Sequence, residues 1–278
     1  MTDQLQERHF VKLSRLMEEH TGIRLPPAKR TMVEGRLRKR IRALGLTRIE
    51  DYGHAIFEGG KLNEEFAHLI DCVTTNKTDF FREPDHFDFL RDTAMPLLAS
   101  LRSGAQSPFK FWSAAASIGA EAYTIAMVAA EMLGLEGRRF SVLGTDISTE
   151  VIAQAQRAVY PAAMIDPVPP RLRERYVMRA LDAERQEVRI VPELRRFVRF
   201  HCLNLMEPTY RVDRDFDVIF CRNILIYFAK ATQDAVLRRI CNHLRKGGFL
   251  FLGHSESLAG AELGAMRQMA PTIFRRAA

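Results

Sequence analysis

Three short stretches carry residue types suited to chemistry on a small ligand. The first is Trp112-Ser-Ala-Ala-Ala-Ser-Ile-Gly-Ala-Glu121, where an apolar run gives way to small residues and then an acid. Small side chains through Ala115, with Gly119 behind them, let a ligand approach the backbone closely. The spacing is not G-x-G-x-x-G and no P-loop lysine follows, which disfavours a dinucleotide or a triphosphate. Tight helix–strand packing would explain the same turn. The second stretch is Thr145-Asp146, an acid placed either to accept both hydroxyls of a ribose or to cap the next helix. Glu121 could meet a cationic group of the ligand or favour the dipole of its own helix. The third is Cys221-Arg-Asn-Ile-Leu-Ile-Tyr-Phe228, with Arg222, Asn223 and Tyr227 at the end of an apolar run. A small-residue turn, a ribose acid and no phosphate machinery point to a nucleoside-like ligand, S-adenosylmethionine foremost.

These groups need elements to hold them. Residues 1 to about 73 read as helices, with Phe10, Leu13 and Met17 on one period and Val33, Leu37, Ile41 and Leu44 on another. Ile49, Tyr52 and Ile56, then Leu62, Phe66, Leu69 and Val73, mark two more. The polar segment from Thr74 to Glu83 breaks the pattern. A helix is expected from Asp85 to about Leu101, and a loop over 103–108. Strands then alternate with helices: Phe109–Ala114, Phe140–Thr145, Phe216–Cys221 and Gly248–Gly253 as strands, and Thr272–Arg275 as a last edge strand. Helices are expected over Glu121–Leu133, Thr149–Ala158 and Ala229–Leu244. That rhythm predicts a mostly parallel α/β sheet. A proline-rich stretch from Tyr160 to Asn204 interrupts it. There a helix over Arg171–Met178 and two runs, Glu187–Val191 and Phe197–Cys202, are expected to form a small antiparallel insertion.

The chain has 278 residues, 47% hydrophobic and 27% charged, which excludes a mostly disordered chain. The net charge is +7, and Arg24–Arg48 alone holds nine basic residues against Glu34, so the remainder nets −1. Cys72, Cys202, Cys221 and Cys241 show no metal-like spacing and read as free thiols, with no metal expected. The charged N-terminus does not look like a signal peptide, and the longest apolar run, Tyr123–Ala130, is far short of the ~20 residues of a membrane span. A soluble, cytoplasmic protein without membrane insertion is expected.

TTNKTDFFRE, WSAAASIGAEAYTIAM, TDIS, HCLNL, FDVIFCRNILIYF and GHSESL occur in this order. Together they resemble the chemotaxis receptor protein-glutamate O-methyltransferases, the CheR family, over essentially the whole chain. The resemblance implies a small all-helical N-terminal domain (1–73), a linker (74–84) and a Rossmann-like S-adenosylmethionine-dependent methyltransferase domain (85–278). An antiparallel β-subdomain is inserted at about 160–203. It implies methyl transfer to glutamate γ-carboxylates on the cytoplasmic helices of chemoreceptors. By similarity Asn76, Thr78 and Arg82 close over the cofactor. Glu121 and Asp146 hold its polar ends near Ala115, Asn204 and Leu205 its adenine region, and Asn223 and Ile224 the pocket wall. Arg82 and Tyr227 are the candidates for orienting the reacting groups.

The family's turn usually reads S-T-G-E-E-P-Y-S. Here Ser117-Ile-Gly-Ala-Glu-Ala-Tyr-Thr124 lacks one acid and the proline but keeps Glu121, so cofactor binding is expected to survive. Some members dock a receptor's C-terminal pentapeptide on a glycine-rich loop. The matching stretch, 180–186, has no glycine, so a pentapeptide-independent enzyme is expected. Arg36, Lys39, Arg40 and Arg42 lie largely opposite the apolar stripe of their helix and are expected to dock the acidic receptor helix. A nucleic-acid methyltransferase is the chief rival. It is disfavoured because the strand end reads CRNILIYF rather than N/D-P-P-Y/F and no aromatic residue interleaves the basic run. A cofactor-sensing adaptor without turnover is the third reading.

Overall fold

The computed structural model describes residues 3–102, 107–136, 139–182, 184–256 and 265–277. Most of the loop expected over 103–108 lies outside them, as do Ala183 and the Ser257-Leu258 end of GHSESL.

Four helices open the chain: α1 (Glu7–Thr21), α2 (Arg30–Ala43), α3 (Ile49–Phe57) and α4 (Leu62–Val73). Their apolar stripes are buried as the spacing predicts, except that Leu44, just past α2, and Leu62 and Phe66 of α4 are half-buried. Gly22 ends α1 at φ 73, a left-handed cap whose N–H donates to Glu18. The helix expected from Asp85 is split into α5 (Pro84–Phe89) and α6 (Met95–Leu101) by a π turn over Leu90–Ala94. Pro96 accounts for the split: it has no N–H to donate and crowds the carbonyl four residues back.

The alternating region runs β1 (Phe109–Ala114), α7 (Ala120–Leu133), β2 (Phe140–Asp146) and α8 (Thr149–Arg157). Next come β3 (Val159–Pro161), α9 (Pro170–Tyr176), β4 (Val177–Arg179), β5 (Glu187–Ile190), α10 (Pro192–Arg195) and β6 (Val198–Cys202). The chain closes with β7 (Phe216–Cys221), α11 (Lys230–His243), β8 (Leu244–Leu252), β9 (Met266–Ala270) and β10 (Ile273–Arg276).

One sheet has the order β6-β2-β1-β7-β8-β10-β9, parallel from β6 to β8 and antiparallel beyond, and a second has the order β3-β5-β4. The α/β class with an antiparallel insertion and a helical N-terminal region is borne out. Two expectations are corrected. The Phe197–Cys202 run is not in the insertion, because Val198–Cys202 pairs in parallel with β2. Its alternation of buried Val198 and Phe200 with exposed Arg199 and His201 suits any half-buried strand, so periodicity could not assign its partner. The insertion instead uses the short strands β3 and β4 around β5, and the helix expected to reach Met178 stops at Tyr176. The last strand is also not the edge, since β9 pairs outside β10.

Strand residues divide between two cores by parity. Phe111, Val218, Phe220, Phe249 and Phe251 face one, with α7 and the insertion. Trp112, Ile219, Cys221, Leu250 and Leu252 face the other, which is continuous with Leu13, Met17, Val33 and Leu37 of the N-terminal helices. The helical region therefore packs over one face of the sheet, where its C-terminal end can reach the strand ends.

Candidate active site

The carboxyl ends of β1, β2 and β7 open on a cleft where β1 has a strand on either side and the chain changes direction, the usual ligand position in such a sheet. In the turn after β1, Ala115 (φ 62) and Ser117 (φ 50) are left-handed. Such backbone costs on the order of 1–3 kcal/mol per residue and persists where its surroundings over-determine it. Gly119 is also left-handed, and a Cβ there would stand 2.9 Å from both Ala155 and Phe200. Asp146 holds this turn. Its Oδ2 accepts from Ser117 N at 2.8 Å and its Oδ1 from Ser148 N at 3.0 Å. The cap of α8 is Ser148, whose side chain accepts from Val151 N, so Asp146 is not the cap. Each Asp146 oxygen keeps a lone pair free for a ligand hydroxyl. Burial pushes its carboxyl up, and the backbone N–H groups pull the other way.

Arg222 sits at the floor of the cleft, its side chain only 1% exposed. Its guanidinium lies 3.1 Å from Glu83 Oε2 and 3.4 Å from Glu121 Oε2, and it donates to the Arg82 carbonyl. Ser113 Oγ donates to the other Glu121 oxygen at 2.6 Å. Burial raises the Glu121 carboxyl, against the pull of Arg222. Glu83 is held below the usual carboxylate range by Arg222 and Asn223, against its own burial. Nε and Nη1 of Arg222 are buried without a hydrogen-bond partner.

Asn223 is left-handed (φ 58), and a Cβ on Gly253 would come 2.5 Å from its Nδ2. Glu256 shapes this loop: its carboxylate accepts from the backbone N of Asn223 (2.9 Å), Leu225 (2.7 Å) and Gly253 (2.7 Å). Asn76, Thr78 and Arg82 of the linker line the same cleft, with Leu205 and Ile224. The Asn76 carbonyl accepts from Ser117 Oγ at 3.0 Å, and Arg82 donates to Lys77 O at 3.1 Å. Asn204 turns its Nδ2 to the His20 carbonyl at 2.6 Å, tying the loop after β6 to the end of α1. The Tyr227 ring lies beneath Lys29 Nζ, 5.2 Å from its centroid, and no described residue hydrogen-bonds its hydroxyl.

The cleft thus gathers Asn76, Thr78, Arg82, Ala115, Glu121, Asp146, Asn204, Leu205, Asn223, Ile224 and Tyr227. Sequence reasoning missed several of its parts. Ile23, Leu25 and Lys29 bring the helical region to its wall, and no local pattern marks them. Glu83 and Glu256 each sit at a motif's edge, next to Arg82 and inside GHSESL, which was the available signal. Arg222 was noted in the strand-end stretch without a role.

Arg36, Lys39, Arg40 and Arg42 lie outside the cleft, and two of them are engaged within the helical region. Arg40 makes a two-pronged pair with Glu65 at 2.6 and 2.8 Å, and Arg36 donates to the carbonyls of Val73 and Thr74 at 3.2 and 2.9 Å. Lys39 and Arg42 remain exposed. Acids outside the window answer much of its charge. Residues 1–73 carry thirteen basic and eleven acidic residues, for +2, leaving +5 on residues 74–278.

A mostly parallel sheet with helices on both faces, a strand-end acid and a small-residue turn without phosphate machinery define an S-adenosylmethionine-dependent methyltransferase. Residues 8–74 match the CheR methyltransferase all-alpha domain and residues 76–273 the CheR methyltransferase SAM-binding domain, so the chain belongs to the CheR methyltransferase family. It is 41% identical over 260 residues to a chemotaxis protein methyltransferase of Escherichia coli (strain K12), covering 93% of this chain and 87% of that one. It is 39% identical over 257 residues to a chemotaxis protein methyltransferase of Salmonella typhimurium, covering 92% and 85%. A TehB-like SAM-dependent methyltransferase structure from Corynebacterium glutamicum is similar at 14% identity and TM-score 0.36, covering 69% and 97%, too slight a likeness to bear on function. All four cysteines are free, and no helix of the described residues is long and apolar enough to cross a membrane.

Proposed function

We propose that this enzyme of chemotaxis transfers the methyl group of S-adenosylmethionine to glutamate γ-carboxylates on chemoreceptor cytoplasmic helices, giving methyl esters in the cytoplasm. One observation carries the reading. Among the described residues the cleft offers cations, a tyrosine hydroxyl without a hydrogen-bond partner and buried carboxylates, but no paired general base.

The residues fit the cofactor. Arg222 Nε, buried without a hydrogen-bond partner, suits a ligand carboxylate, Glu121 a ligand cation, and the free lone pairs of Asp146 a ribose. When bound, S-adenosylmethionine supplies a methyl group activated on a positively charged sulfur. A glutamate of pKa ~4.3 is ionised roughly 500 to 1 at pH 7, so no side chain need remove a proton. What remains for this chain is alignment, an orientational contribution rather than proton transfer. Arg82 and the Tyr227 hydroxyl, which both line the cleft, serve that role.

In this reading residues 1–73 recognise the receptor, 74–84 close the cofactor site and 85–278 carry the transfer. Exposed Lys39 and Arg42 meet the acidic receptor helix. The stretch 180–186 lacks the glycines of the loop that docks a C-terminal pentapeptide in some members, so the enzyme acts without that tether. The test is methyl transfer from labelled S-adenosylmethionine to receptor cytoplasmic fragments with and without a C-terminal pentapeptide, with RNA and DNA as controls. Base-labile label on receptor glutamates is expected on both fragments and none on nucleic acid. Label on nucleic acid, or cofactor binding without transfer, would sink the proposal.

A further inference from the structure

We infer that the helical domain holds a divalent transition-metal site of the Zn2+ type, built by His9, His54 and Glu58. None of these residues lines the cofactor cleft. His9, on α1, is fully buried, and its ring presses on α3 because residue 53 is glycine. A Cβ there would stand 2.6 Å from His9 Nδ1. Glu50, His54 and Glu58 recur every four residues along α3 and its C-terminal cap, and so share one face.

The two carboxylates divide the work. Glu58 faces one nitrogen of each ring, with Oε1 3.1 Å from His9 Nε2 and Oε2 2.6 Å from His54 Nδ1. Glu50 faces the other nitrogens, with Oε1 2.8 Å from His9 Nδ1 and 3.4 Å from His54 Nε2. The Gln6 amide holds the second Glu50 oxygen at 2.6 Å. A metal-bound histidine ordinarily donates its far ring N–H to a carboxylate, which fixes the tautomer and turns the free nitrogen to the ion. Here Glu50 Oε1 lies nearest that position for both histidines, without a directed hydrogen bond to either.

The nitrogens that face Glu58 are hydrogen-bonded to it, and the far side of the cluster is not. His9 Nδ1 and Glu50 Oε1 are buried and touching, yet neither has a hydrogen bond of acceptable direction. The ligand atoms of His9, His54 and Glu58 lie within 4.8 Å of one another. Zinc–ligand bonds of ~2.0–2.2 Å put tetrahedral neighbours roughly 3.3 Å apart, so small side-chain rotations seat the ion. Arg8, 3.4 Å from the Glu58 carboxylate, is its one competitor among the described ion pairs. Two imidazoles and one carboxylate select Zn2+ over Mg2+ or Ca2+, which take oxygen donors, and leave the fourth position to water.

The test uses the untagged full chain, stripped with chelator and titrated with Zn2+ by calorimetry and with Co2+ by visible absorption, with Mg2+ as control. One equivalent of Zn2+, a Co2+ ligand-field band and a Zn2+-dependent rise in melting temperature are expected. His54→Ala, at a half-exposed side chain, should weaken binding about 100-fold or more with unchanged circular dichroism. Glu50→Gln should weaken it about 10–100-fold at the same stoichiometry. Failure of the wild-type chain to bind one equivalent overturns the inference, as does equal affinity in the wild type and His54→Ala.

Discussion

Arg222 and Glu83 face each other 3.1 Å apart at the floor of the cleft, one from the end of a central strand and the other from the linker. The same guanidinium touches Glu121, so a single cation holds two carboxylates that would otherwise be buried together. The contact between linker and strand end and the charge balance of the site are therefore one interaction. Removing one partner of a buried pair costs ~3–5 kcal/mol, because the other charge stays buried. Arg222→Met should lower the unfolding free energy by about that much and weaken S-adenosylhomocysteine binding. Urea denaturation and calorimetry measure both, and a loss below ~1 kcal/mol would show that the guanidinium does not offset the carboxylates.

Arg82 and Tyr227 make few contacts that stability depends on. Arg82→Ala and Tyr227→Phe should each lower turnover on receptor fragments about 10- to 1,000-fold, a range set by the value of positioning. Unfolding free energies should stay within the ~0.5 kcal/mol usual for surface changes. Unchanged turnover in both variants would remove these residues from the mechanism.

Burial and the nearby Arg222 push the His86 imidazole down to about 4 from an ordinary 6.5. Between those values the unfolded chain binds a proton that the folded chain refuses. The His86 contribution is thus fully present above pH 6.5 and is lost as pH falls toward 4. Raised carboxyls such as Glu121 and Glu256 act in the opposite sense, so the readout is a difference. Melting temperature should fall less steeply from pH 6.5 to 4.5 in His86→Gln than in the wild type. Parallel curves would contradict this.

Lys39 and Arg42 are the exposed remnant of the basic helix. Exposed pairs contribute ~0.2–1 kcal/mol each, so Lys39→Glu with Arg42→Glu should slow receptor methylation several-fold at low salt and little at high salt. Cofactor affinity should not change. Arg40→Ala should instead show its effect in stability, by freeing Glu65. Salt-independent methylation by the wild type would count against docking through this face.

Much of the site was legible because its chemistry lies at strand ends, where an apolar run stops and a polar group follows. Asp146, Glu121 and Asn223 could be read that way. Glu83 and Glu256 could not, since each acts on backbone or charge far along the chain: Glu256 reaches back to Asn223 and Glu83 forward to Arg222. The Val198–Cys202 strand shows the same limit. Its alternation announced a half-buried strand, but only the neighbouring strand decides which sheet it joins.

Charge marks the division most clearly. The sequence alone determined that α2 is basic, that its apolar stripe faces inward, and that strands and helices alternate beyond residue 108. Those are properties of residue type and period, which the chain carries locally. Only the tertiary structure decided that Glu65 answers Arg40, that the Val73 and Thr74 carbonyls take up Arg36, and that Lys39 and Arg42 stay exposed. A charge is free or answered according to what packs within about 4 Å of it, and that distance exists only once distant segments have folded together.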